Sequence, residues 1–110
     1  MADDIDDPTD LPRPPSALAD AHPEVWERYA DLGEACSAAG PVADREKRLV
    51  KLAMAVAAGS EGAVHSHVRR GRDEGIDDAA MEHVAVLAIP TIGFPAAMAG
   101  LSWIRDVTAE

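Results

Sequence analysis

The chain predicts an all-α fold, and three observations carry that prediction. No stretch sustains the period-two alternation of a strand. Apolar residues recur at helical spacing in several segments, and proline, glycine or a capping residue stands between each segment and the next.

Composition says what kind of helical protein this is. Of 110 residues 22 are alanine and only 4 % are aromatic, although 47 % are apolar, so the core has to be built from small side chains at close helix spacing. One helical domain of this size buries a modest apolar area, and a partner subunit is expected on that ground.

Residues 1–15 contain Asp3, Asp4, Asp6, Asp7 and Asp10 with prolines at 8, 12, 14 and 15. They have too little apolar content to offset ordering entropy and are expected to form a flexible tail, leaving 16–110 as the helical domain. About five helices are expected within it. The first starts at Pro23, since proline is tolerated at the first helical position, and places Val25, Tyr29, Leu32 and Cys36 on one apolar face with Trp26 beside it. Gly40-Pro41 ends it. Asp44 caps a second helix that is nearly apolar all round after its first turn, the pattern of a helix buried on most sides or at a subunit interface. Ser60 caps the third, Glu61 complements its positive end, and Gly75 terminates it. Asp77 caps the fourth, which Pro90 is expected to stop because a residue before proline is biased out of helix. The fifth runs from about Pro95 to Val107.

Charge and cysteine content exclude several functions. A net charge of −10 argues against nucleic acid, whose affinity for proteins comes largely from Lys and Arg. The lone Cys36 rules out an intrachain disulfide or a Cys-x-x-Cys site, and its place on an apolar stripe reads as a small buried hydrophobe. No apolar run is long enough to span a bilayer and the acidic start is unlike a secretory signal, so a cytoplasmic protein without a membrane partner is expected. There is no phosphate-cradling glycine loop, dinucleotide fingerprint or nucleophile elbow.

Chemistry-bearing residues gather around Gly59–His67. On a helical wheel His67 lies near Ala63, Val64 and Gly71, on the packed side of its helix. A buried imidazole there suits either a general acid or base, or a core histidine bonded to a carbonyl. His65 has Glu61 four residues earlier, a spacing that permits a hydrogen bond orienting the ring, or a solvated surface pair. His83 could approach both across a helical hairpin. Three histidines and a carboxylate are ligand types that suit zinc or iron, yet His-x-His sets the two rings about 200° apart, and no metal is expected. Arg69, Arg70 and Arg72 read as a solvated helix end, although a carboxylate-bearing substrate would need one guanidinium of this kind.

The segment Arg48-Leu49-Val50-Lys51-Leu52-Ala53 through Gly59, followed by His67, Gly75 and Gly93-Phe94-Pro95-Ala96-Ala97, resembles the carboxymuconolactone decarboxylase family, which includes the alkylhydroperoxidase D-like proteins. The likeness runs from about His22 to Trp103. It implies a helical protomer that assembles into trimers or hexamers, with active sites between helices. In the peroxidase branch the segment reads Gly-Cys-x-x-Cys-x-x-x-His; Ser60 and Ala63 stand where the cysteines would be, and Arg48 where that branch carries an acid. Dithiol peroxidase chemistry needs both thiols, so the resemblance excludes it here. The decarboxylase branch lacks those cysteines, and the resemblance to it implies a cofactor-independent decarboxylase, lyase or isomerase acting on a small acidic or lactone-like metabolite. His67 would supply a proton, Glu61 or His65 would tune it, and Arg48 or Arg70 would hold a carboxylate, with His83 also facing the substrate. His83 and Thr91 replace a frequent glutamate and tyrosine of the family, which implies an altered pocket. The competing expectation, from the missing cysteines and Arg48, is a non-catalytic member that binds a small ligand or a protein.

Overall fold

Helix-forming segments separated by capping residues give six helices and, among the described residues, no strand. The computed structural model describes residues 13–110, with side chains from Ser16 onward. The tail expected over 1–15 therefore lies outside the described residues, except for its last three, which open a helix. The chain divides into two units, Met1–Ala43 and Asp44–Glu110.

The first unit holds α1 (Arg13–Ala21) and α2 (Pro23–Ala38). Helix α1 was not among the expected helices: the run Pro12, Pro14, Pro15 reads as irregular chain, yet prolines are compatible with a first helical turn, where their missing N–H groups have no intrahelical partner. Helix α2 begins at Pro23 as expected. Its apolar stripe does not meet the expected fate. Val25, Tyr29 and Leu32 are more than half exposed, Cys36 is exposed as well, and only Trp26 is buried, its ring centroid 5.7 Å from that of Tyr29. Helical periodicity identifies residues that share a face; it does not say whether the same chain covers that face.

The second unit packs α3 (Asp44–Ala57), α4 (Glu61–Asp73), α5 (Asp78–Ile92) and α6 (Phe94–Thr108) around Leu52, Val56, Val64, Val68, Met81, Ala85, Ile104 and Val107. Asp44 lies inside α3 as its first residue, with φ 53°, a left-handed conformation that aspartate tolerates better than most residues. The helix buries Arg48, Leu52, Ala55 and Val56, one stripe at i, i+4, i+7 and i+8. Val50 and Met54 on its other side are exposed, so the second unit by itself does not enclose α3 on most sides. The small-residue core appears where α6 crosses α3. A Cβ at Gly100 would stand 2.6 Å from Val56 Cγ1, and no side chain larger than hydrogen fits there without moving that buried valine.

Two helix ends place functional residues. Asp77 caps α5, its side chain accepting from the Ala80 N–H at 3.2 Å. Helix α4 ends in a Schellman motif: the Ile76 N–H donates to Gly71 O at 2.9 Å and the Gly75 N–H to Arg72 O at 3.0 Å. Gly75, at φ 86°, supplies the left-handed residue that the motif requires, and the motif fixes Glu74 as the last residue before the turn. Pro90 does not stop α5, which continues to Ile92. A proline so near a helix C-terminus costs one backbone hydrogen bond, and Gly93 at φ 94° then breaks the helix.

Candidate functional site

Helix α4 turns its two histidines to different neighbours, as a separation of about 200° on a helix requires. His67 is buried at 8 % exposure and faces α3, where Arg48 Nη1 lies 2.8 Å from its Nδ1. Arg48 is the more enclosed member, with a side chain 2 % exposed. Its stem runs beside Gly71, whose missing Cβ would stand 3.6 Å from Arg48 Cγ.

The other edge of the guanidinium is held by Glu74. Arg48 Nε donates to Oε1 at 2.9 Å and Nη2 to Oε2 at 2.8 Å, a bidentate fork that fixes the plane of the group. Glu74 is 36 % exposed, so the pair has one wet end and one dry end. A carboxylate at a helix C-terminus is electrostatically unfavourable, and the Arg48 charge offsets that.

Arginine has five donors and no acceptor, which fixes the sense of the 2.8 Å contact: Arg48 donates and His67 Nδ1 accepts. The Nδ1 atom therefore carries no hydrogen, and the neutral ring has its hydrogen on Nε2.

His65, two residues earlier, belongs to a separate network. Its Nε2 lies 2.9 Å from Asp106 Oδ2 on α6 and 3.9 Å from Glu61 Oε2. The expected i, i+4 partner Glu61 is thus beyond hydrogen-bond reach, and Asp106, 41 residues away in sequence, takes the contact. Glu61, His65 and Asp106 each offer a ligand atom within 4.8 Å of the others, a grouping that exposed acidic side chains often form without binding an ion. Neither His67 nor His83 belongs to that group. Both Glu61 and Asp106 are exposed.

The remaining candidates are dispersed. His83 is exposed on α5 and makes no hydrogen bond or ion pair with His65 or His67 among the described residues. Arg70 is half-buried, and its Nε donates to the buried Ser66 Oγ at 3.4 Å. Arg69 pairs with Glu110 at 3.5 Å, and Arg72 with Asp78 at 3.2 Å and with the Val107 carbonyl at 3.0 Å, so these two stitch α4 to its surroundings. A groove along α2, lined by Pro23, Glu24, Glu27, Arg28 and Asp31, contains none of the candidate residues, and its walls offer no buried polar group. Ser60 is the N-cap of α4 and Ala63 sits in its first turn.

The second unit is all-helical, carries a buried histidine on α4 bonded to a buried arginine on α3, and contains no cysteine. Residues 23–106 match the sequence profile of the Carboxymuconolactone decarboxylase family, and the chain belongs to that family. No curated protein and no solved structure matches it.

Proposed function

We propose that this protein is a cofactor-independent decarboxylase, or a related lyase or isomerase, acting on a small acidic or lactone-like metabolite. His67 is the group that meets the reacting oxygen. The observation that supports this reading is the buried His67 held by Arg48 inside a chain of this family. Loss of carbon dioxide from a carboxylated lactone leaves an electron pair that the substrate carbonyl accepts, so the site has to stabilise an enolate and exclude bulk water, and a fixed imidazole hydrogen in a dry setting meets both demands. Arg70, half-buried one turn from His67, is the guanidinium for the substrate carboxylate in this reading. Arg48, expected for that role, has its fork on Glu74 instead. Glu61 and His65 contribute from the neighbouring face of α4 as part of the entrance, and His83 faces solvent.

The protein acts in this reading as a cytoplasmic homo-oligomer. Among the described residues no helix is long and apolar enough to cross a membrane. Val50, Met54, Val86, Leu87 and Phe94 leave apolar surface on the second unit that another copy would cover. Light scattering on the purified protein is expected to give a mass of three or six chains, and a monomer at micromolar concentration would contradict it.

The catalytic proposal is tested by incubating the protein with a panel of carboxylated lactones and β,γ-unsaturated keto acids and measuring released carbon dioxide. Release from at least one of them, above the rate in buffer, is the expected result. No release from any, at enzyme concentrations comparable to substrate, would remove the decarboxylase reading.

A further inference from the structure

We infer that Glu74 and Arg48 form a positioning relay that keeps His67 neutral with its hydrogen on Nε2, so that the ring serves its substrate as a hydrogen-bond donor and neither as an imidazolium acid nor as a base. The inference rests on the proposed reading only in assuming that His67 meets the substrate; the state of the ring follows from geometry.

Three features fix that state. The Arg48 guanidinium cannot accept a hydrogen bond, and at 2.8 Å it leaves no room for a hydrogen on Nδ1. It cannot rotate away, because Glu74 grips two of its nitrogens and its side chain is 2 % exposed. A second proton on the ring would also place an imidazolium directly against a buried cation, with Glu74 on the far side of the guanidinium. Glu74 and Arg48 are positioning residues: neither has to touch the substrate, and both act through the orientation and charge of His67.

The consequence for the reaction is specific. As the bond between the ring carbon and the carboxylate breaks, its electron pair moves into the carbonyl and charge gathers on the oxygen, where the Nε2 hydrogen stabilises it without leaving nitrogen. The carbon takes its new hydrogen from a water molecule, and the hydroxide left behind balances the loss of carbon dioxide. A neutral imidazole acting as an electrophile is an established way to stabilise an enolate at neutral pH. In this chain an arginine behind the ring provides it.

The test is histidine-selective 15N labelling of the full chain with long-range proton–nitrogen correlation. His67 is expected to show a pyridine-like Nδ1 and a pyrrole-like Nε2 at neutral pH. Arg48→Met is expected to release it, giving exchange between the two tautomers at the same pH, and Arg48→Lys, which can reach Nδ1 but cannot fork onto Glu74, is expected to restore it in part. A pyrrole-like Nδ1, or a doubly protonated His67 ring at neutral pH in the unmodified protein, would overturn the relay whether or not either variant folds. The two readings fail separately. Nε2–H without carbon dioxide release leaves the relay standing and removes the decarboxylase, whereas release from a protein whose His67 is imidazolium does the reverse.

Discussion

Arg48→Ala is expected to lower the stability of the folded chain by about 3 kcal/mol. Breaking a buried charge pair by removing one member typically costs ~3–5 kcal/mol, because the other member is left without compensation. Glu74, at 36 % exposure, recovers part of its hydration, which places the value at the low end. His67 adds to the loss, since its buried Nδ1 would no longer receive a hydrogen bond. For a chain of this length the change corresponds to a fall in melting temperature on the order of 10 °C. Glu74→Gln is expected to cost less, about 2 kcal/mol, because the amide oxygen can still accept from one guanidinium nitrogen while the buried cation loses its countercharge. The two are coupled, so an Arg48→Ala, Glu74→Gln double variant should be more stable than the sum of the single losses predicts. Urea titrations of the four proteins measure all of this. An Arg48→Ala midpoint equal to that of the unsubstituted chain would mean that the pair is solvated, and the argument for a rigid His67 would go with it.

Helix positions were legible in the sequence wherever the end of a helix has a local chemical cause. Asp77 and Gly75 act as read, because a cap and a left-handed turn involve residues within four positions of one another. Pro90 carries a fixed local cost, but the packing that opposes it is set by distant helices, so the helix end is not legible at the proline itself. The exposed Cys36 and Leu32 show the same division: spacing put them on one face, and nothing in spacing says what that face meets. At the site, the inward turn of His67 was legible from its neighbours on the wheel. Glu74 was not, because its partner Arg48 is 26 residues away. One signal was present. A carboxylate immediately before a helix-ending glycine opposes the helix dipole, and such a residue calls for a cation nearby. Asp106 carried no comparable mark, since α6 brings it to His65 only through tertiary packing.

The second large effect separates hydrogen bonding by His67 from proton transfer. Asparagine at position 67 places its carbonyl oxygen near the site of Nδ1, where it can accept from Arg48, but has nothing where Nε2 stands. Glutamine reaches the Nε2 position with an amide N–H and has no ring atom to offer Arg48. His67→Asn is therefore expected to fold nearly as well as the unsubstituted chain while losing about 10²–10³-fold in kcat, the usual loss when one oxyanion donor is removed. His67→Gln is expected to be less stable by about 1–3 kcal/mol, because Arg48 Nη1 loses a buried acceptor, yet to retain most of the turnover that asparagine destroys. The ranking inverts between the two measurements, which no uniform structural damage would produce. Proton transfer from the ring predicts a different pattern, since an amide cannot give up its proton and both variants would be equally inactive. Equal inactivity with normal folding would thus replace the neutral donor by an acid, and full activity in His67→Asn would take the imidazole out of the reaction altogether.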